Sequence, residues 1–162
     1  MSELRLIWVD DDGPRRFAYE EFRIRQAGWS LRWGLDLRSA AEDMAETRFH
    51  ALILDQKLPY VGLEGAVGHW GGCLFLRWLR GAGLPDGLTL SPVAPSRDLF
   101  QLSPLESNRD IPAILVSVYH RLDILEQTRA ASPRDETIAL IAKPVKIDLL
   151  LEFLEEIRAE LE

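Results

Sequence analysis

Single acidic, hydroxyl and basic residues close successive apolar runs in this chain. LIWV leads into Asp10, Asp11 and Asp12, ALIL into Asp55, AILV into Ser117, and ALIA into Lys143 and Pro144. Carboxylates gathered in one place repel one another, and a hard divalent cation with oxygen ligands relieves that repulsion. Mg2+ in particular takes one or two carboxylates together with water and phosphate oxygens. A carboxylate can also attack a phosphoryl group while a metal, a lysine and a hydroxyl neutralise and orient the transferring oxygens. The chemistry that suits this inventory is phosphoryl transfer at a Mg2+ site. Asp55, alone at its strand end, is the natural acceptor.

That chemistry requires the run ends to meet. Short aliphatic runs read as buried parallel strands, and polar residues at the carboxyl ends of such strands face the crevice where open α/β sheets bind ligands. The pattern predicts strands near Leu4 to Val9, Leu31 to Leu37, His50 to Asp55, Ile111 to Ser117 and Thr137 to Lys143. Between them Asp12-Gly13-Pro14 caps and opens a first helix, which carries Phe17, Phe22 and Ile24 and ends at Gly28. Ser39 with Glu42 is a capping-box signature for the next, Cys73 to Arg80 forms a third, and Leu122 to Ala131 a fourth. Ile147 to Leu161 places Leu150, Leu151, Phe153, Leu154, Ile157 and Leu161 at helical spacing. This alternation argues an α/β fold, a doubly wound five-stranded parallel sheet. Trp8 is bulky for a central strand and is expected to lean toward the inserted segments near 60–70 and 82–110.

The same residues carry a family resemblance. Asp10 and Asp11 after the first strand, Asp55 in LILDQKLP, Ser117 in IPAILVS and Lys143-Pro144 in IAKP resemble, in order and identity, the motif of the response-regulator receiver domains of two-component signalling. The resemblance covers most of residues 1–59, 71–81 and 110–162. It implies the strand order 2-1-3-4-5 of the flavodoxin-like, CheY-like three-layer sandwich. It further implies that Asp55 accepts a phosphoryl group from a histidine kinase or phosphotransfer protein. Mg2+ would be held by Asp11, Asp55 and the backbone carbonyl of Lys57, with Asp10 reaching it through water. Ser117 would hydrogen-bond a phosphoryl oxygen, Lys143 would pair with its charge, and the Lys143–Pro144 bond would be cis. Such a domain is a signalling phosphoprotein rather than an enzyme acting on other molecules. It would address an output protein through its fourth helix, fifth strand and fifth helix, a face that could also form a homodimer.

Departures from the family pattern are as specific as the matches. Receivers usually carry an aromatic switch residue three before the lysine, where this chain has Leu140, and a small residue after the hydroxyl, where it has Val118 and then Tyr119. Val118 and Tyr119 are expected to restrict water at Asp55 and to prolong the life of any phosphoryl group there. The segments near 60–70 and 82–110 are far longer than the usual links. Their Gly and Pro content reads as loop, while Leu88, Leu90, Leu99, Phe100 and Leu102 are apolar enough for part to pack as a short hairpin or over the sheet.

Composition bounds the remainder. A length of 162 residues with 47% hydrophobic content suits one domain spanning 1–162. The single Cys73 makes no internal disulfide, no signal peptide or membrane-length apolar run is present, and the chain reads as cytoplasmic. A net charge of −7 disfavours nonspecific nucleic-acid binding. His50, His69 and His120 are scattered, and with Cys73 they do not supply a zinc site. Two rival functions remain. One is a haloacid-dehalogenase-like phosphatase, which the chain resembles through Asp10 as nucleophile, Asp12, Ser117 and Lys143, but without the late acidic pair of that family. The other is a receiver-like binding module that no longer uses phosphorylation.

Overall fold

A computed structural model describes residues 3–56, 63–64, 71–83, 89–90, 102–118, 126 and 138–162. Lys57, Tyr119, His69, His120, the predicted fourth helix apart from Glu126, and most of both long segments lie outside the described residues.

The main sheet is parallel, in the order β2-β1-β3-β6-β7. Its strands are β1 (Leu4–Val9), β2 (Trp29–Gly34), β3 (Ala51–Asp55), β6 (Ala113–Ser117) and β7 (Ile138–Ala142). The remaining two strands, β4 (Leu63–Glu64) and β5 (Thr89–Leu90), pair antiparallel outside that sheet. The order is thus the expected 2-1-3-4-5, with the extra pair contributed by the long segments. Among the described residues of these segments, β4 pairs with β5 across the intervening helix α4 (Gly71–Arg80).

Period-two alternation divides the core between two layers. Ile7, Val9, Leu52, Leu54, Ala113 and Leu115 face α3 (Leu37–Glu46) and α4, where Met44, Phe75, Leu76 and Leu79 meet them. Leu6, Trp8, Ala51, Ile53, Ile114 and Val116 face the other way, toward Phe17, Ile24 and α5 (Ile147–Leu161), whose Leu150, Leu154 and Ile157 are buried. Burial on both faces is why these strands are continuous apolar runs. Trp8 therefore lies in the layer opposite Leu102, which packs against the α3 and α4 side; most of the long segments toward which Trp8 is expected to lean is outside the described residues.

Local chemistry accounts for three further differences. The first helix is two, α1 (Gly13–Arg16) and α2 (Ala18–Gln26), broken at Phe17. Asp12 precedes α1 but makes no side-chain cap; its carboxylate accepts instead from Arg16 at 3.3 Å, and Phe22 is 59% exposed rather than core. Gly28, at φ 89°, turns the chain straight into β2, which starts at the buried Trp29 and ends before the Asp36 cap of α3. Asp36, not Ser39, is that cap: its side chain accepts the Ser39 N–H at 2.7 Å, and Glu42 pairs with Arg38.

Candidate functional site

Asp10, Asp11, Asp55, Ser117 and Lys143 all stand at or just past the carboxyl ends of strands β1, β3, β6 and β7. Parallel register brings these ends together: Val9 is opposite Leu54, Asp55 opposite Val116, and Ser117 opposite Ala142. Asp10, Asp55 and Ser117 are all buried, at 0%, 5% and 3% exposure, while Asp11 is exposed. One ligand oxygen from each of Asp10, Asp11 and Asp55 lies within 4.8 Å of the others.

Lys143 supplies the counter-charge. Its backbone N–H donates to the Ser117 carbonyl at 2.9 Å, which extends the β6–β7 ladder by one residue and aims the side chain into the site. The peptide bond to Pro144 is cis, as the resemblance implied. The Lys143 Nζ lies 3.2 Å from Asp10 Oδ2 and 3.4 Å from Asp55 Oδ1, with its side chain only 8% exposed. The other Asp10 oxygen, Oδ1, accepts the Asp12 N–H at 2.9 Å, so both oxygens of this carboxylate are engaged. Among the described residues, three carboxylates against one ammonium leave an excess of negative charge at a set of hard oxygen donors, the chemistry that suits Mg2+.

The site also rests on residues that the run ends did not flag. Gln56 is fully buried directly after Asp55; its N–H donates to the Val116 carbonyl, and its carboxamide oxygen accepts from Cys73 Sγ at 2.9 Å. Gly72 packs so closely that a Cβ there would stand 2.5 Å from the Asp55 carbonyl oxygen and 2.8 Å from Gln56 Nε2. The Gly-Gly pair opening CLFLRWL is the sequence signal for that approach. Gly13, at φ 47°, turns the acidic strand end into α1 against Leu35 and Trp33. Phe17, read from sequence only as an apolar helix residue, places its ring 5.7 Å from Lys143 Nζ.

Of the positions singled out for access and switching, Val118 is 50% exposed beside Ser117. Leu140 is half-buried and packs against the α3 and α4 layer. A separate cavity of about 820 Å3 opens at the other end of the sheet, lined among others by Arg5, Arg48, His50 and Arg158, and contains none of the carboxylates above.

No family model and no curated protein matches the chain in sequence. Solved structures do match in shape. The Francisella response regulator 1452 receiver domain is 16% identical, with 98% of this chain and 99% of that chain covered at a TM-score of 0.65. The fold is that of the response-regulator receiver domains. A CheY-like receiver domain protein from Methanospirillum hungatei is 17% identical, covering 98% of this chain and 96% of that one at a TM-score of 0.61. The receiver domain of a sensor histidine kinase from Pseudomonas aeruginosa is also 17% identical, covers 96% and 97%, and has a TM-score of 0.61; that protein holds a magnesium ion in its active-site cleft. Among the described residues of this receiver fold, no helix is long and apolar enough to cross a membrane.

Proposed function

We propose that the chain works as a response-regulator receiver, with residues 1–162 forming one unit that accepts a phosphoryl group on Asp55 and signals through protein contacts in the cytoplasm. The observation that carries this reading is the buried Lys143 ammonium held between Asp10 and Asp55 at 3.2 and 3.4 Å, with the Asp11 carboxylate alongside. Burial of such a charge group is costly unless its members are used together.

Asp11, Asp55 and the Lys57 carbonyl would hold Mg2+. Asp10 fits a contact through water, since its oxygens already accept from Asp12 and Lys143. When bound, the cation supplies charge neutralisation at the transferring oxygens. Asp55 attacks phosphorus of a phosphohistidine on a histidine kinase or phosphotransfer protein. A new carboxylate O–P bond forms, the donor N–P bond breaks, and the imidazole leaves with the electron pair and takes up a proton. Lys143 then pairs with a phosphoryl oxygen, and Ser117 donates its hydroxyl to another. The half-exposed Val118 and its neighbour Tyr119 restrict attacking water, and an output protein reads the face that includes β7 and α5.

Asp10 as a phosphatase nucleophile suits this geometry poorly. Both of its oxygens are engaged, and Asp12 turns away to Arg16. Intact-mass analysis with Mg2+ and acetyl phosphate tests the reading: one labile phosphoryl group on wild type and none on Asp55→Asn supports it. No adduct on folded wild type, with phosphoramidate also failing, points instead to a phosphorylation-independent binding module.

A further inference from the structure

Lys143 has a third neighbour that phosphoryl acceptance alone does not call for. Its ammonium stands 5.7 Å from the centroid of the Phe17 ring, within the range of a cation–π contact. Phe17 is the break between α1 and α2, at φ −114° and ψ 33°, and is 5% exposed. A continuous helix would keep this residue in the regular rotation of its neighbours; the break sets its ring beside the strand ends.

The ring is itself backed by a stack. Its centroid lies 4.7 Å from that of Trp8, and Trp8 lies 4.9 Å from Trp33. Trp33 Nε1 donates to Glu21 on α2 at 2.8 Å, which anchors the far end. Trp8 is fully buried, and its indole N–H has no hydrogen-bond partner among the described residues. Buried tryptophans usually satisfy that N–H, so this position uses the ring faces and forgoes the polar handle.

A lysine has a long stem and loses rotamer freedom when it is held at one place. Asp10 and Asp55 attract the ammonium without fixing the rest of its orientation. A ring face attracts it from a third direction and offers no lone pair that would compete with an arriving phosphoryl oxygen. A leucine at 17 would fill the volume but give no such face.

We propose that Phe17 is a positioning residue for Lys143, with the Glu21–Trp33–Trp8 stack holding the ring that confines the ammonium between Asp10 and Asp55. The functional half of this inference rests on Asp55 being the phosphoacceptor. The test compares wild type with Phe17→Leu and Phe17→Tyr for the rate of adduct formation from acetyl phosphate and Mg2+, with proton NMR of the Lys143 ε-methylene in the wild type. Loss of one desolvated cation–π contact predicts acceptance about tenfold slower in Phe17→Leu and within about twofold of wild type in Phe17→Tyr. The ring current predicts an upfield ε-methylene signal, assigned by its loss in Lys143→Arg. An ε-methylene at the ordinary position overturns the contact whether or not the variants fold. A folded Phe17→Leu that accepts as fast as wild type overturns the positioning role. Wild type that takes no phosphoryl group, with the methylene still upfield, overturns the phosphoacceptor reading and the catalytic half of this inference but not the contact.

Discussion

Cys73 donates its thiol to the Gln56 carboxamide oxygen across 2.9 Å and so ties the first turn of α4 to the residue that follows Asp55. The Gly72 N–H reinforces the tie by donating to the Gln56 carbonyl at 3.2 Å. Movement of α4 and movement of the Asp55 backbone are therefore mechanically linked.

Gly72→Ala should disturb that link. Its Cβ meets backbone at 2.5 Å, which has no rotamer escape. We expect a loss of about 1–3 kcal/mol, the range for overpacking, together with slower phosphoryl acceptance. Urea unfolding and adduct formation measure the two effects; an Ala variant equal to wild type in both would show that α4 does not press on Asp55.

Lys143→Met removes the cation from a buried pair of carboxylates. Breaking a buried charge pair from one side costs about 3 kcal/mol or more. Without metal the variant should unfold at lower urea than wild type. Added Mg2+ should raise its midpoint by more than it raises that of wild type, because the cation then replaces the lost neutralisation. Equal metal responses in the two proteins would contradict this.

Asn108 is fully buried and makes three short hydrogen bonds. Its Oδ1 accepts the Phe49 N–H at 2.8 Å, and its Nδ2 donates to the carbonyls of Met44 at 2.8 Å and Thr47 at 2.7 Å. It fastens the chain entering β6 to the loop between α3 and β3. Asn108→Ala should cost about 2–4 kcal/mol by orphaning buried backbone groups. Phosphoryl acceptance by the remaining folded protein should persist, since this staple sits away from the strand ends that carry Asp55. A urea midpoint unchanged from wild type would contradict the first expectation.

His50 predicts a pH dependence. Burial, and then the charges of Arg48 and Arg5, hold its imidazole below the ordinary 6.5. The Arg5 N–H donates to Nδ1 at 3.0 Å, a bond that needs an unprotonated nitrogen there. Below 6.5 the unfolded chain then binds the proton more readily than the folded one, so stability falls as pH drops from about 6.5 through the lowered folded value. The urea midpoint should decline over that interval and less steeply in His50→Gln. Glu21 acts lower. Burial raises its carboxyl, but hydrogen bonds from Trp33 and Arg25 outweigh this and leave it below the ordinary 4.5. Its contribution is present above 4.5 and lost as pH falls through the depressed value. A midpoint with the same slope in His50→Gln would contradict the assignment.

The sheet and its order were legible because each central strand is buried on both faces and announces itself as an apolar run. The clustering of the candidate site residues was legible for a related reason: they are the polar residues that interrupt those runs. Helix boundaries were less so. Asp36 outcompetes Ser39 as a cap because its extended backbone, at φ −150° and ψ 169°, lets the carboxylate reach the Ser39 N–H. The break at Phe17 coincides with ring contacts to Lys143 and Trp8, partners remote in sequence that no local pattern points to. The layer that receives Trp8 is illegible for the same reason: a strand's pleat tells which residues share a face, but not which helix will cover it.

The central claim is that Asp55 carries the phosphoryl group. The most direct measurement is borohydride reduction of the acetyl-phosphate-treated protein followed by peptide mass mapping, since reduction of an aspartyl phosphate converts that residue to homoserine. Homoserine at position 55 alone, dependent on Mg2+ and abolished by Lys143→Met or strongly reduced by it, is the result predicted. Homoserine at position 10, or at no position in a folded and Mg2+-supplied protein, would contradict the account.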